Sequence, residues 1–232
     1  MKHVLELKNI SKNYGKVQAL CDVNLKLSHG IYALLGPNGS GKSTMMNIVA
    51  GLLKPTSGTV LYNGVDIRKS KEYLCNLGYM PQYPAMYPTF SVMEFLLYLS
   101  ELKGLPDDNG REIERLLSKV ELFDVYARKI SALSGGMKQR LSLCTAVLGD
   151  PEILILDEPT AGLDPKQRVS LKNFISEISE NKIVIWATHI VSDVENIAKE
   201  IIFVKKGAAT AMPRDDIGSL EERYLSFFGD VL

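Results

Sequence analysis

The chain has no surplus of either charge. Its 27 Lys+Arg balance its 27 Asp+Glu, so no basic field argues for nucleic acid and no acidic tail is present. It is also poor in cysteine. Cys21, Cys75 and Cys144 are far apart and odd in number, which speaks against a disulfide or zinc framework and reads as reduced core thiols of a cytosolic protein. Long apolar runs are missing: the densest, IYALL, FLLYL and IIFV, fall far short of the roughly 20 residues a membrane span needs. Met1 leads into the polar MKHVLELKN, without the basic-then-apolar order of a secretory signal. No repeat or low-complexity segment is evident. These absences predict a soluble protein whose membrane role, if it has one, runs through a partner. At 232 residues the chain can hold one large domain or two small lobes.

What is there alternates strand and helix patterns. Val4–Leu7 and Val17–Leu20 flank the turn signal NYGK and suggest short antiparallel strands. Ile31–Leu35 runs straight into glycines and then into a helical spacing at Met46, Ile48, Val49 and Leu52. TVLYNGVDI reads as a hairpin around Asn63-Gly64, and Leu77–Met80 as a further strand. From Pro81 the character changes. Three prolines and two tyrosines interleave to Tyr87-Pro88, and Ser91-Val92-Met93-Glu94 then forms a capping box ahead of FLLYLSEL. After the loop GLPDDNG, Ile113, Leu116, Leu117 and Val120 mark an amphipathic helix, and a third helix starts at Ser134. Ile153–Leu156, Ile183–Trp186 and Ile201–Val204 are again short apolar runs, separated by helical patterns around Gln167–Ile178 and Val191–Ala198. Strands alternating with helices imply a mostly parallel sheet. The fold class expected is α/β, with an N-terminal antiparallel β subdomain and an inserted helical subdomain. Residues 1–82 and 150–207 form the core, 83–149 a helical lobe and 208–232 a C-terminal tail of one domain, 1–232.

Gly36-Pro37-Asn38-Gly39-Ser40-Gly41-Lys42-Ser43, within the nucleotide-binding cradle Gly36–Thr44, fits G-x-x-x-x-G-K-[ST] at every position, between a predicted strand and a predicted helix. The motif identifies a P-loop NTPase core. Its glycines let successive backbone amides face the β-phosphate at the positive end of the helix. Lys42 would reach the β- and γ-phosphates, and the Ser43 hydroxyl would ligate Mg2+. Asp157 and Glu158 end the buried run ILIL, where α/β sheets place their ligands. Asp157 would hold Mg2+ through its water shell, and Glu158 would polarise an attacking water.

A second glycine-rich helix start, LSGGMKQR (Leu133–Arg140), has no following GK[ST]. Ser134 can cap that helix while the Gly135 and Gly136 amides stay open, which makes an anion site without a lysine.

The P-loop, LSGGMKQR, ILILDEPTAGLD and ATH, in this order, resemble the ATP-binding subunits of ATP-binding-cassette (ABC) transporters over nearly the whole chain. The resemblance implies ATP and Mg2+ as ligands and ATP hydrolysis as the activity. It implies that Tyr14 stacks on adenine and that Gln82 senses Mg2+ and the attacking water. It implies that His189 contacts the γ-phosphate and that Asp164 contacts the opposite subunit. Ser134, Gly135 and Gly136 then face the P-loop of a second ATPase subunit, in a homo- or heterodimer with ATP sandwiched between two chains. Met137 departs from the glutamine or glutamate common at its position and cannot donate a side-chain hydrogen bond.

The family further implies an integral membrane permease subunit docking near Tyr83–Phe90, with Tyr83, Met86, Tyr87 and Phe90 as candidates, so the ATPase sits on the cytoplasmic face of the cell membrane. Packing the two lobes together is the alternative use of those side chains. ARKISA ahead of LSGG lacks the acidic, glycine-containing segment of fused exporters. The stretch from Gly136 to Pro165, THIVSDVENIA and LEERYLSFFG look like subunits of bacterial ABC-2-type exporters for drugs or peptide antibiotics. Two alternatives stay open: an ABC ATPase whose membrane partner signals rather than transports, and a soluble ABC protein of DNA repair or translation. The single P-loop and the absence of a heptad run count against the second.

Overall fold

Two sheets of different construction carry the chain. The computed structural model describes residues 3–106, 110–213 and 219–229. In order, the elements are β1 (Leu5–Tyr14), β2 (Val17–Leu27), β3 (Gly30–Leu35), α1 (Lys42–Val49), β4 (Ser57–Tyr62), β5 (Val65–Asp66), α2 (Lys71–Cys75), β6 (Leu77–Met80), α3 (Val92–Leu102), α4 (Gly110–Lys119), α5 (Gly135–Val147), β7 (Ile153–Asp157), α6 (Pro165–Ile178), β8 (Ile183–Thr188), α7 (Val191–Val194), β9 (Glu200–Lys205), β10 (Ala208–Pro213) and α8 (Leu220–Phe228). One sheet is antiparallel, β2-β1-β4-β5; the other runs β10-β9-β3-β8-β7-β6 and is parallel except for the β9–β10 pair. The mixed fold with a mostly parallel central sheet is as the sequence implies.

The central strands read as unbroken apolar runs because both faces of their sheet are covered. Side chains alternate between faces with period two. Ile153, Ile155, Ile183, Ile185 and Ala187 join α1 and the antiparallel sheet in one core. Leu154, Leu156, Val184, Trp186 and Phe203 meet the helices of the other side.

Local signals predict several elements well. Ser91 and Glu94 form both halves of their capping box, and Asn63 and Gly64 adopt φ of 50° and 83° as the hairpin turn demands.

Other expectations are corrected. The first two strands are much longer than Val4–Leu7 and Val17–Leu20, because register shifts in β1 break the alternation without ending the pairing. The helical pattern Val191–Ala198 closes only over Val191–Val194. Residues 208–213, read as tail, extend the sheet as β10. Of the three thiols read as core, Cys21 and Cys75 are exposed and only Cys144 is buried. In the loop GLPDDNG, residues 107–109 lie outside the described residues, as do 214–218 and 230–232 of the tail. No helix among the described residues is long and apolar enough to cross a membrane.

Candidate functional site

Parallel strands deliver their carboxyl ends to one edge of a sheet. Here β3 ends at Leu35 and enters the glycine loop, β6 leads to Gln82, β7 ends in Asp157-Glu158, and β8 ends in Thr188-His189. Between the first three lies a pocket of about 160 Å³, lined by Ala19, the loop Asn38–Thr44, Gln82, Asp157 and Glu158. Its floor is an anion cradle. Gly41 has φ 115°, and a Cβ there would stand 2.6 Å from the Ala19 carbonyl oxygen, so only glycine fits. α1 starts at this glycine with no side-chain cap and no acidic residue in its first turn, which leaves its amides to a ligand. Ser40 Oγ is buried in the same loop without a hydrogen-bond partner.

Lys42 is buried among charges. Its Nζ donates to the Gly36 and Pro37 carbonyl oxygens at 2.5 and 3.1 Å. Burial holds its pKa below the ordinary lysine range, against the opposing pull of Glu158 and Asp157. Asp157 is only 7% exposed, and its pKa is pushed up to about 6, first by burial and then by the Glu158 charge, with Lys42 opposing. A carboxylate so placed favours an added cation. No cluster of three His, Cys, Asp or Glu among the described residues is arranged to hold a metal ion alone. The donor set of Ser43 hydroxyl, Gln82 amide and Asp157 carboxylate suits a hard cation that brings phosphate oxygens with it.

Glu158 is fixed from every side. Its backbone is left-handed at φ 49°. Thr188 Oγ1 donates to its Oε2 at 3.1 Å, and His189 Nδ1 lies 2.7 Å from its Oε1. His189 keeps 61% of its side chain exposed, with Nε2 available beyond the carboxylate.

The remaining candidates lie elsewhere. Tyr14 ends β1 half-exposed, with the Lys12 ammonium 5.3 Å from its ring centroid, and does not line the pocket. Ser134, Gly135, Gly136 and Asp164 do not line it either. Ser134 Oγ accepts from Met137 N–H at 3.2 Å as the N-cap of α5, which leaves the hydroxyl proton free to donate. Gly135 faces open space. Asp164 Oδ1 accepts from Gln167 N–H at 2.9 Å and so caps α6. Met137 packs against the core as a partly buried apolar side chain.

Sequence reading missed three sets of contacts. Gln139 donates through Nε2 to the Glu158 carbonyl oxygen at 2.7 Å. Thr188, buried one residue ahead of His189, serves both Glu158 and the Ile190 amide. Thr160 donates to the buried carboxylate of Asp193 and thereby joins the segment after Glu158 to that after His189. The ATH motif brackets Thr188 and could have pointed to it; nothing in the pattern marks Gln139 or Asp193.

Comparison with known proteins agrees with this geometry. The ABC transporter family matches residues 20–161. The uncharacterized ABC transporter ATP-binding protein YxlF of Bacillus subtilis is 37% identical over 206 residues, covering 88% of this chain and 68% of its own. The lantibiotic transport ATP-binding protein SrtF of Streptococcus pyogenes is 36% identical over 206 residues, 88% of each chain. Among solved structures, that described as the dimeric structure of MJ0796, a bacterial ABC transporter cassette, superposes with a TM-score of 0.81 at 27% identity, over 92% of this chain and 100% of that one. A P-loop, a buried carboxylate pair and a histidine gathered at one sheet edge, on a fold shared with that cassette, leave one assignment: the chain belongs to the ABC transporter family, as an ATP-binding and ATP-hydrolysing subunit.

Proposed function

We propose that the protein works as one half of a dimer that closes on two ATP molecules and drives a membrane-embedded exporter. The observation that carries this reading is the separation of two anion-facing helix ends in one chain. The P-loop end has the lysine and the carboxylates; the Ser134–Gly136 end has neither and does not line the pocket, and Gly135 there faces open space. An ATP held by Gly36–Thr44 of one chain would therefore meet Ser134, Gly135, Gly136 and Asp164 of another. The dimeric state described for the related cassette supports this arrangement.

In this reading the P-loop amides and Lys42 hold the β- and γ-phosphates, and Lys42 exchanges its two loop carbonyls for phosphate oxygens. Tyr14, at the exposed end of β1, would stack on the adenine. Ser43, Gln82 and Asp157 would hold Mg2+, which when bound neutralises phosphate charge. Glu158 orients the attacking water and takes its proton, while His189, aligned through Nδ1, presents Nε2 toward the γ-phosphate. The products are ADP and phosphate.

The stretch Tyr83–Phe90 is the docking surface in this reading. Tyr83 is 84% exposed and Tyr87 half-exposed, whereas Met86 and Phe90 pack against the core. A groove of about 380 Å³ runs between this stretch and the start of α5, lined by Tyr83, Met86, Ile130, Gly135 and Lys138 among others. Docking there puts the protein at the cytoplasmic face of the membrane. The likeness to a lantibiotic transport subunit favours an exported peptide or drug-like cargo.

The test has two parts. Lys42→Ala is expected to abolish ATP binding and turnover, and near wild-type ATPase activity would refute the P-loop assignment. Co-purification of the intact chain from membranes is expected to bring an integral partner with it; recovery of the active ATPase without one would refute the transport reading.

A further inference from the structure

Gln139 is 9% exposed and sits on α5, one helical turn beyond Gly135. Its Nε2–H donates to the Glu158 carbonyl oxygen at 2.7 Å, across a sequence gap of 19 residues. α5 reaches that depth because it packs tightly on the sheet. A Cβ at Gly78 of β6 would stand 2.0 Å from the Ala146 carbonyl oxygen near the end of α5.

The peptide that Gln139 holds is an unusual one. Glu158 is a non-glycine residue in the left-handed region, a conformation that is disfavoured for a residue with a Cβ and persists only where its surroundings fix it. Three backbone contacts fix it here. The Glu158 N–H donates to the Ala187 carbonyl at 2.9 Å, the Glu158 carbonyl accepts from the Ala161 N–H at 3.1 Å, and Gln139 supplies the third. The first two belong to the sheet edge and the local turn. Only the third comes from the helix whose start carries Ser134, Gly135 and Gly136.

We propose that Gln139 is a positioning residue: it ties the partner-facing start of α5 to the Glu158 peptide, and so couples the two ATP sites of the dimer through one chain. This rests on the reading of Glu158 as base and of α5 as the contact to the partner's ATP. When the partner's nucleotide seats α5, Gln139 holds the Glu158 peptide in the conformation that aims its carboxylate at the water on its own P-loop. Without that seating, the α5 end and the peptide shift together. Hydrolysis at one site then depends on occupancy of the other, with no contact between the two nucleotides. Gln139 touches no nucleotide in this scheme, so its signature falls on turnover and cooperativity rather than on ATP affinity.

Mg-ATP hydrolysis by the full-length protein tests this, with kcat, KM, Hill coefficient and melting temperature measured for each variant. Gln139→Met and Gln139→Glu keep the length of the side chain and remove the donor. Gln139→His places a ring Nε2 donor the same number of bonds from Cβ. Both donor-less variants are expected to lose about tenfold in kcat and to lower the Hill coefficient toward one, with KM within about twofold of wild type. The histidine variant is expected to regain most of the loss. Unchanged kcat and Hill coefficient in the donor-less variants, with Glu158→Gln inactive, overturns the coupling alone. A joint fall in melting temperature and rise in KM that histidine does not repair also overturns it, since the role is then structural. Wild-type turnover in Glu158→Gln instead overturns the reading of the base on which it rests.

Discussion

His189 Nδ1 lies 2.7 Å from Glu158 Oε1 while Thr188 Oγ1 donates to Oε2, so both carboxylate oxygens are engaged before any substrate arrives. The carboxylate is aimed by its neighbours, and in the proposed mechanism it is the group that takes the proton of the attacking water. Replacing Glu158 with Gln keeps the shape and the Thr188 contact but removes the proton acceptor. Glu158→Gln should bind ATP normally and hydrolyse it about 10²–10⁴-fold more slowly, leaving an ATP-held dimer that gel filtration detects. A variant that stays monomeric with saturating ATP would contradict the shared site. His189→Ala should lose turnover with smaller change in ATP affinity.

Asp157 links pH to stability in the nucleotide-free protein. Its pKa rises from the ordinary carboxylate value to about 6 on folding, so the native state holds the proton more tightly than the unfolded chain does. The stabilisation from that proton is complete below the unfolded pKa and is lost as pH rises through about 6. At pH 7 the protein therefore carries an ionised, largely buried carboxylate at a net cost. Partial solvent screening limits that cost to on the order of 1 kcal/mol. Asp157→Asn should melt about 2–4 °C higher than wild type at pH 7 in the presence of a chelator. The gap should close as pH falls from 6 toward 4. A constant gap across that range would show that the shift is not the cause. The same variant should lose magnesium-dependent turnover.

The core of the site was legible because its residues sit where secondary-structure signals are strongest. Gly36–Ser43 lies between a five-residue apolar run and a periodic helix, and Asp157-Glu158 ends a run with no polar residue in it. Ser91 and Glu94 name their own helix start. What escaped the sequence is contact between segments. Gln139 looks like any polar residue of a helix that begins with glycine; only the close approach of α5 to β6 turns it toward Glu158. The Thr160–Asp193 bond is hidden for the same reason, since a buried aspartate reads as a surface one until its partner is known. β10 escaped because AATAMP lacks β-branched and aromatic residues apart from Thr210, and its pairing with β9 is fixed by the turn at Lys206-Gly207, with φ of 50° and 82°.

The thiols offer a check on burial that is independent of function. Cys21 and Cys75 are exposed, while Cys144 is buried in α5 and its thiol is pushed up to about 12 by burial. A thiolate-selective chromogenic disulfide at pH 8 should titrate two thiols rapidly in the folded protein and the third only after denaturation. Three fast thiols would mean that α5 does not pack on the sheet as described.

The two glycines of LSGG separate folding from function. A Cβ on Gly136 would stand 3.2 Å from Gln167 Oε1 and 3.3 Å from Leu163 Cδ2, so Gly136→Ala needs those two side-chain ends, on either side of Asp164, to give by a few tenths of an ångström. A Cβ on Gly135 meets nothing within 4 Å, and alanine suits the first turn of a helix at least as well. Within one isolated chain Gly135→Ala should be harmless, with a melting temperature equal to or slightly above wild type and unchanged ATP binding. If that open space is where another chain's γ-phosphate sits, the added methyl fills it. The variant should then fail to form the ATP-held dimer in a Glu158→Gln background and should lose turnover by at least about tenfold. Gly136→Ala, whose methyl meets Gln167 and Leu163 of its own chain, should show the larger change in melting temperature of the two. The discriminating result is Gly135→Ala: full activity would place the partner's ATP somewhere other than the start of α5, and loss of activity with intact stability can arise only from a contact that the single chain does not make.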